Sequence, residues 1–326
     1  FVFMIGACLS QGRAQTKSAV SYKNPVVDIA MPDPTVIKAA DGYFYVYATE
    51  STRNVPIMKS KDLVEWTYCN TAFTNKTRPR FEPKAGIWAP DINYINGKYV
   101  LYYAMSVWGG EQTCGIGVAT ANSPQGPFTD HGKMFRSNEI GVQNSIDPSL
   151  LQYEGRNYLV WGSFRGIYVI ELTADGLSIM SGAKKKRIAG TAFEAVYIHK
   201  HGDYYYMFAS IGSCCQGVKS TYKVVVGRSK KVWGPYKDKT GKPMLKNGYS
   251  LVIGANDHFV GNGHGSQIIQ DDAGQDWLLY HGFSRSTPEN GRILLLDQIK
   301  WDQEGWPYVE GGSPSYETQK APVFNN

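Results

Sequence analysis

Short apolar runs rich in tyrosine, phenylalanine and β-branched residues recur along the chain, and each run follows a turn that carries a polar or ionisable residue. The turns contain Asp33, Asp91, Asp147, Glu194 and His264, and the runs after them are residues 43–47, 99–103, 158–161, 204–208 and 277–281. Runs of this length and composition favour strands over helices, and we find no convincing amphipathic helix. The pattern therefore predicts an all-β protein.

The spacing of these units predicts the architecture. Successive polar positions lie 47 to 70 residues apart, and residues 25–60 would form the first unit. A loose repeat near this length, built of short strands, is typical of a β-propeller blade. Five copies predict a five-bladed β-propeller, and since no low-complexity linker divides the chain, we expect residues 21–326 to form one domain.

The five polar side chains are expected to lie close together in the folded protein. Proline directly follows Asp33 and Asp147 and biases the residue before it toward an extended backbone, so we expect Asp147 at the mouth of a strand. Equivalent positions of all propeller blades face one central axis, which would bring the five side chains into one pocket. For any single Asp-Pro copy a plain turn is the better explanation. Five copies in one structural context favour the convergent site.

Three of these positions, Asp33, Asp147 and Glu194, carry carboxyl groups. Hydrolysis of a glycosidic bond needs one protonated carboxyl group to protonate the leaving oxygen and one carboxylate to activate water or attack carbon. A third carboxylate nearby raises the pKa of the acid by like-charge repulsion. The apolar neighbours Phe193 and Ala195 also favour a protonated Glu194, because they disfavour its charged form. The three groups would supply the set that such a hydrolase requires.

An ordered set of motifs carries a resemblance to a known family. The motifs are Asp33-Pro34-Thr35, Ser60-x-Asp62-Leu63-x-x-Trp66, Trp88-Ala89-Pro90-Asp91, Ser145-Ile146-Asp147-Pro148-Ser149, Gly162-Ser163-Phe164, Phe193-Glu194-Ala195 and Gly263-His264-Gly265. Over residues 25–310 the sequence resembles glycoside hydrolase family 43, and within it the endo-α-1,5-L-arabinanases. The resemblance implies a five-bladed propeller and an inverting mechanism. It also implies that Asp33 is the general base, that Glu194 is the general acid, and that Asp147 orients the acid and modulates its pKa.

The resemblance further implies a cation, usually calcium, near His264 in the axial channel, and no organic cofactor. A histidine hydrogen-bonded within the core is the alternative for His264. The candidates for substrate binding are Trp88, Asp91, Asn144, Ser163 and Phe193. Trp88 and Phe193 would stack on a sugar, with ordinary core packing between blades as the alternative. Asn144 and Ser163 would hydrogen-bond the sugar beside the acids.

The implied substrate is arabinan or an arabino-oligosaccharide, cut at internal α-1,5 linkages. The first alternative is an exo-acting α-L-arabinofuranosidase or β-xylosidase of the same family, in which loops close one end of the cleft. Residues 246–262 are the segment that would do so here. The second alternative is a non-catalytic sugar-binding propeller, which would not need an acid with a raised pKa.

Charge and cysteine content add limits on the partners. The net charge is +6 and the pI is about 8.8, but the basic residues are scattered apart from residues 184–187, so we expect no nucleic-acid partner. Separately, we expect the chain to act as a monomer. Cys214 and Cys215 are adjacent. They would form either a vicinal disulfide or a pair of small buried thiols in a tight loop.

Residues 1–20 read as an export signal or a lipoprotein-type N-terminus. Residues 1–5 are apolar, and Ile5-Gly6-Ala7-Cys8 resembles a bacterial lipobox, with ordinary secretion as the alternative. No other stretch is long and apolar enough to span a membrane. We therefore expect an extracytoplasmic protein that is secreted, periplasmic or lipid-anchored through Cys8 at the bacterial cell surface.

Overall fold

Five antiparallel sheets are the blades of a five-bladed β-propeller, as the repeat predicts, and Ser21–Tyr22 and Gln319–Lys320 pair in a separate two-stranded sheet. The computed structural model describes residues 20–325. The predicted export segment, with Cys8, thus lies outside the described residues except for its last position. Within the described residues, no helix has both the length and the apolar character needed to cross a membrane.

The elements are short. In chain order the strands are β1 (Ser21–Tyr22), β2 (Val27–Ala30), β3 (Thr35–Lys38), β4 (Phe44–Tyr47), β5 (Pro56–Ser60), β6 (Thr67–Thr71), β7 (Gly86–Ile95), β8 (Lys98–Ser106), β9 (Gly115–Ala121), β10 (Thr129–Arg136), β11 (Ser149–Tyr153), β12 (Arg156–Trp161), β13 (Ile167–Glu171), β14 (Lys186–Ala189), β15 (Glu194–His201), β16 (Tyr204–Ile211), β17 (Lys223–Ser229), β18 (Ser250–Ile253), β19 (Phe259–Gly263), β20 (Ile269–Gln270), β21 (Asp276–Ser284), β22 (Ile293–Trp301), β23 (Pro307–Tyr308) and β24 (Gln319–Lys320). The helical segments are α1 (Ser137–Ile140) and the 3-10 turns Gly217–Lys219, Met244–Lys246, Pro288–Asn290 and Glu310–Gly312.

Four blades are simple meanders of consecutive strands, and the fifth is closed by the other end of the chain. The meanders are β3–β6, β7–β10, β11–β14 and β15–β18, whereas the fifth blade has the order β19-β21-β22-β2. Val27 of β2 lies opposite Leu294 of β22. The assignment of residues 25–60 to the first unit is therefore wrong for β2. Its partner depends on which strand edge is free in the folded ring, and local sequence does not specify that edge.

The predicted aromatic runs form the second strand of every blade, and both faces of that strand are buried. In β4, Tyr45 belongs to the hydrophobic cluster shared with the second blade, which also contains Leu101 of β8. Val46 belongs to the cluster shared with the fifth blade, which also contains Leu279 of β21. Burial between two neighbouring blades explains why these runs are continuously apolar instead of alternating with polar residues.

One residue with a left-handed backbone lies within or beside the inner strand of each blade. These residues are Asp33 (φ 52°), Ala89 (φ 42°), Asp147 (φ 55°), Ala195 (φ 53°) and His264 (φ 49°). The extended backbone predicted for Asp147 from Pro148 is therefore wrong. Tertiary contacts impose the rarer conformation, as at Asp33, whose backbone N–H donates to His281 Nδ1 at 3.0 Å.

Candidate active site

The inner strand ends converge on one cavity of about 720 Å³ at the propeller axis. Its lining includes Asp33, Asp147, Glu194 and His264, which sequence reasoning brought together from four blades. The volume falls within the range of a small-ligand site, roughly 300–1,000 Å³. The three carboxyl groups are buried in it, with 7% to 8% of each residue exposed.

The positively charged guanidinium of Arg292 keeps Asp33 in its carboxylate form. Arg292 Nη1 donates to Asp33 Oδ1 at 2.8 Å, and the Thr49 hydroxyl donates to Oδ2 at 2.6 Å. The Nδ1 atom of His264 lies 3.3 Å from Asp33 Oδ1. Burial alone would raise the pKa of Asp33, but the charge of Arg292, followed by that of His264, brings it well below its ordinary value. Asp33 is thus ionised across the neutral range and can accept a proton.

Glu194 opens β15 and is held by a short chain of donors. The Ser163 hydroxyl donates to Glu194 Oε2 at 2.6 Å, and Asn144 Nδ2 donates to Ser163 Oγ at 2.9 Å. The Tyr222 hydroxyl also hydrogen-bonds to the carboxyl group. Burial raises the pKa of Glu194, and the charge of Asp33 adds to the rise, while the bonds from Ser163 and Tyr222 oppose it. Its environment therefore favours the protonated form that a general acid needs.

Asp147 lies against the backbone that follows Glu194. Its Oδ2 accepts the N–H of Ala195 at 3.1 Å, which ties the third blade to the start of β15. Burial raises the pKa of Asp147 to about 7, and the charges of Glu194 and Asp33 add to the rise while His264 opposes it. Asp147 and Glu194 therefore titrate as interacting carboxyl groups.

His264 supplies positive charge among these acids. Burial would lower the pKa of His264, but the charges of Asp33, Asp147 and Glu194 outweigh burial and raise it. The preceding residue must be glycine, because a Cβ at Gly263 would lie 2.1 Å from the Tyr222 ring. Close packing of these two elements fixes His264 at the axis.

A second, smaller cavity of about 20 Å³ lies along the axis and is lined by both His264 and Asp147. Asp91 lines this channel and is not among the residues that line the larger cavity. Its carboxylate accepts N–H groups from Leu150 at 2.7 Å and Gln267 at 2.9 Å. Asp91 therefore ties the second, third and fifth blades together, and burial raises its pKa to about 6.

The remaining predicted site residues divide between the cavity and the core. Trp88, Asn144 and Ser163 line the cavity. Phe193 is fully buried among core residues. It therefore packs between blades, as the alternative to sugar stacking predicts. Trp108 is 77% exposed, lines the cavity and lies 5.4 Å from Trp88 between ring centroids.

Sequence reasoning missed Trp108, Phe164, Tyr222, His281 and Arg292. Trp108 and Arg292 each adjoin glycine, in Val107-Trp108-Gly109-Gly110 and Gly291-Arg292. A bulky or charged residue in a glycine turn was the available signal. No comparable signal marks Tyr222, whose role depends on its contact with Glu194 across the fold.

A separate group has the composition of a metal site. His199, His201 and Asp276 place imidazole nitrogens and a carboxylate oxygen within 4.8 Å of one another. His199 and His201 share one face of β15, because alternate strand residues point the same way. This group could hold a metal ion. It lies toward the opposite end of β15 from Glu194 and is distinct from the cation expected near His264.

The sequence model described as "Glycosyl hydrolases family 43" matches residues 22–307. The chain belongs to glycoside hydrolase family 43. Among family 43 relatives, the extracellular exo-α-(1→5)-L-arabinofuranosidase of Cellvibrio japonicus is 36% identical over 306 residues, covering 85% of this chain and 86% of the relative. The extracellular endo-α-(1→5)-L-arabinanase 1 of Bacillus subtilis is 36% identical over 289 residues, covering 84% and 86%.

A solved family 43 structure agrees with the fold. The α-L-arabinanase of Cellvibrio cellulosa in complex with arabinohexaose superposes with a TM-score of 0.79 at 34% identity, covering 88% of this chain and 98% of the other. The predicted family is thus confirmed. Endo- and exo-acting relatives have the same identity to this chain, so identity does not separate the two modes of cleavage.

Proposed function

We propose that this family 43 enzyme is an inverting hydrolase that cleaves internal α-1,5-L-arabinofuranosyl linkages of arabinan. Asp33 is the general base, Glu194 the general acid, and Asp147 orients the acid and modulates its pKa. The observation that carries the proposal is the difference in environment of two carboxyl groups in one cavity. Arg292 keeps Asp33 ionised, whereas burial favours protonated Glu194. A protein that only binds sugar has no need of this difference, which argues against the non-catalytic alternative.

The proposed reaction follows from these two states. Glu194 gives its proton to the oxygen of the departing sugar as the glycosidic bond breaks. Asp33 takes a proton from a water molecule, whose oxygen bonds to the anomeric carbon from the opposite face. The product therefore has the inverted configuration. Thr49 and Arg292 hold the Asp33 carboxylate in place for this step, while Ser163 holds the Glu194 carboxyl group.

The surroundings of the cavity support cleavage within a polymer. Residues 246–262 are the segment that would close one end of the groove in an exo-acting enzyme. They contribute Ser250–Ile253 to the fourth blade and, at their end, most of Phe259–Gly263 to the fifth. No residue of this segment is among those that line the cavity in the described part of the chain. This segment therefore supplies no wall that would close one end of the cavity, which supports the endo mode over the exo mode.

The experiment that tests this function follows the first products from linear α-1,5-arabinan. We expect a spread of short oligosaccharides within the first few per cent of conversion, and proton NMR should detect the inverted anomer first. Arabinose as the sole early product would refute the endo mode and favour the exo-acting alternative. A retained anomer would refute the roles given to Asp33 and Glu194. Activity on chromogenic β-xyloside alone would favour a β-xylosidase.

A cation in the axial channel is part of the proposal. The channel below His264 has room for about one ion or water molecule. Thr35, Ser149 and Gln267, whose side chains carry oxygen atoms, line it, and calcium prefers oxygen ligands. The donor set therefore fits calcium held by these oxygens or by water. A bound ion would supply positive charge that offsets repulsion among the carboxylates.

The cellular location and assembly also belong to the proposal. The relatives from Cellvibrio japonicus and Bacillus subtilis are both named extracellular. A polymeric substrate such as arabinan is met outside the cytoplasm, which agrees with the export segment at residues 1–20. We propose that residues 21–326 act as one catalytic domain and as a monomer that is secreted, periplasmic or lipid-anchored through Cys8, without an organic cofactor.

A further inference from the structure

Cys214 and Cys215 form a disulfide between neighbouring residues, and both line the active-site cavity. The stabilisation that a disulfide provides by constraining the unfolded chain grows with the length of the loop it closes. A bond between adjacent residues closes almost no loop, so it is poorly suited to stabilising the fold. Its position in the cavity wall indicates a role in the active site instead of in fold stability.

The loop that carries the disulfide is fixed at its base by other contacts. Ser213 O accepts the N–H groups of Thr221 at 3.0 Å and Tyr222 at 3.1 Å, and the Ser213 N–H donates to Thr221 Oγ1 at 3.0 Å. A Cβ at Gly212 would lie 2.6 Å from Thr221 O, so the two ends of the loop approach closely. The half-buried pair Cys214–Cys215 is thus presented to the cavity from a rigid base that does not depend on the S–S bond.

The same loop ends at a residue that touches the proposed acid. The Tyr222 ring packs against Gly263 and stacks with His281 at 5.6 Å between centroids, and its hydroxyl hydrogen-bonds to Glu194. The disulfide is therefore joined by a short, braced segment to the group that protonates the leaving oxygen. Cys214, Cys215, Tyr222 and Glu194 all line the same cavity, so the disulfide shares that wall with the residue that braces the proposed acid.

The chemistry of the disulfide suits a sugar ring. Two bonded sulfur atoms form a polarizable and largely apolar surface that has no N–H or O–H donor. A furanose ring presents C–H groups on its face and hydroxyl groups at its edge. Apolar side chains in sugar sites pack on the C–H face and leave the edge free for polar groups. Two reduced thiols would rotate independently and would no longer present one fixed surface.

We propose that the Cys214–Cys215 disulfide forms the sugar-binding surface of the leaving-group side, packing against the C–H face of the departing arabinofuranose ring. The inference rests on the proposed hydrolase function and on the role of Glu194 within it. A reductant that opens this disulfide should therefore weaken substrate binding, while Asp33 and Glu194 keep their positions.

The test compares two substrates, of which only one places a sugar on the leaving-group side of the cavity. One readout is release of the reducing-end sugar from reducing-end-labelled arabinotriose, and the other is methanol release from methyl α-1,5-arabinobioside. Both leaving groups are alkoxides that need protonation, but methanol makes few contacts with the wall. In the variant Cys214→Ala/Cys215→Ala, we expect kcat/KM for arabinotriose to fall roughly three- to tenfold, mainly through KM. The fall in methanol release should be several-fold smaller.

Reduction provides a matched second measurement on the unmodified enzyme. Mild reductant should reproduce the loss on arabinotriose, reoxidation should restore it, and the double variant should not respond. An equal fall on both substrates would assign the disulfide a structural role and overturn the inference, as would unchanged kinetics in the variant. Failure of the wild-type enzyme to cleave arabinotriose and arabinan would instead refute the proposed function, so the two failures are distinguishable.

Discussion

Replacement of Arg292 by methionine should move the acid limb of the pH profile upward. Arg292 Nη1 lies 2.8 Å from Asp33 Oδ1, and 18% of the arginine side chain is exposed. Two unit charges about 4 Å apart at an effective dielectric constant of about 20 interact by about 4 kcal/mol. One pKa unit corresponds to about 1.4 kcal/mol, so the upper bound is about three units. Because solvent screens part of the interaction, we expect the pKa of Asp33 to rise by roughly 1–3 units.

The assay is the pH dependence of kcat/KM on an arabino-oligosaccharide, since its acid limb reports the base of the free enzyme. Arg165→Met is a matched control, because Arg165 pairs with Glu111 at 2.8 Å but is 43% exposed and does not contact Asp33. The control should leave the acid limb in place. A correctly folded Arg292→Met enzyme with the wild-type acid limb would refute the reasoning that Arg292 keeps the base ionised.

Four other changes test different parts of the structure. Glu194→Gln should lower kcat on arabinan by roughly 10²–10⁴-fold and affect an activated aryl arabinofuranoside less, whereas equal losses would contradict the acid role. Asp147→Asn should move the alkaline limb of the kcat/KM profile to lower pH, because Glu194 loses a like-charged neighbour; an unmoved limb would show that the two do not interact. Arg78→Met should lower the free energy of unfolding by roughly 3–5 kcal/mol in a denaturant titration, because it leaves Glu50 buried without its charged partner. Only 7% of the Arg78 side chain and 9% of the Glu50 side chain are exposed. An added Glu50→Gln should recover part of that loss. Prolonged chelation should lower activity or Tm if a cation lies below His264; metal-free protein with neither change would exclude that cation.

Local sequence pattern was enough for the blades and for three acidic site residues. The aromatic runs predicted the second strand of each blade, because a strand buried on both faces must be apolar along its whole length. The repeat predicted that Asp33, Asp147 and Glu194 would converge, and all three line one cavity. This worked because four blades are continuous stretches of chain and the fifth takes only β2 from elsewhere, so the aromatic strand and the turn residue of each blade are close together in the sequence.

Contacts between distant blades were not predictable in this way. Arg292 meets Asp33 across 259 residues, and its effect on the pKa of Asp33 exists only when the fifth blade packs beside the first. Likewise, β2 joins the fifth blade because ring closure leaves an edge of β22 free. Phe193 and Trp88 have similar sequence settings, yet one is buried and the other lines the cavity. Charge interaction and burial depend on distance in space, and only the packed ring of blades defines those distances.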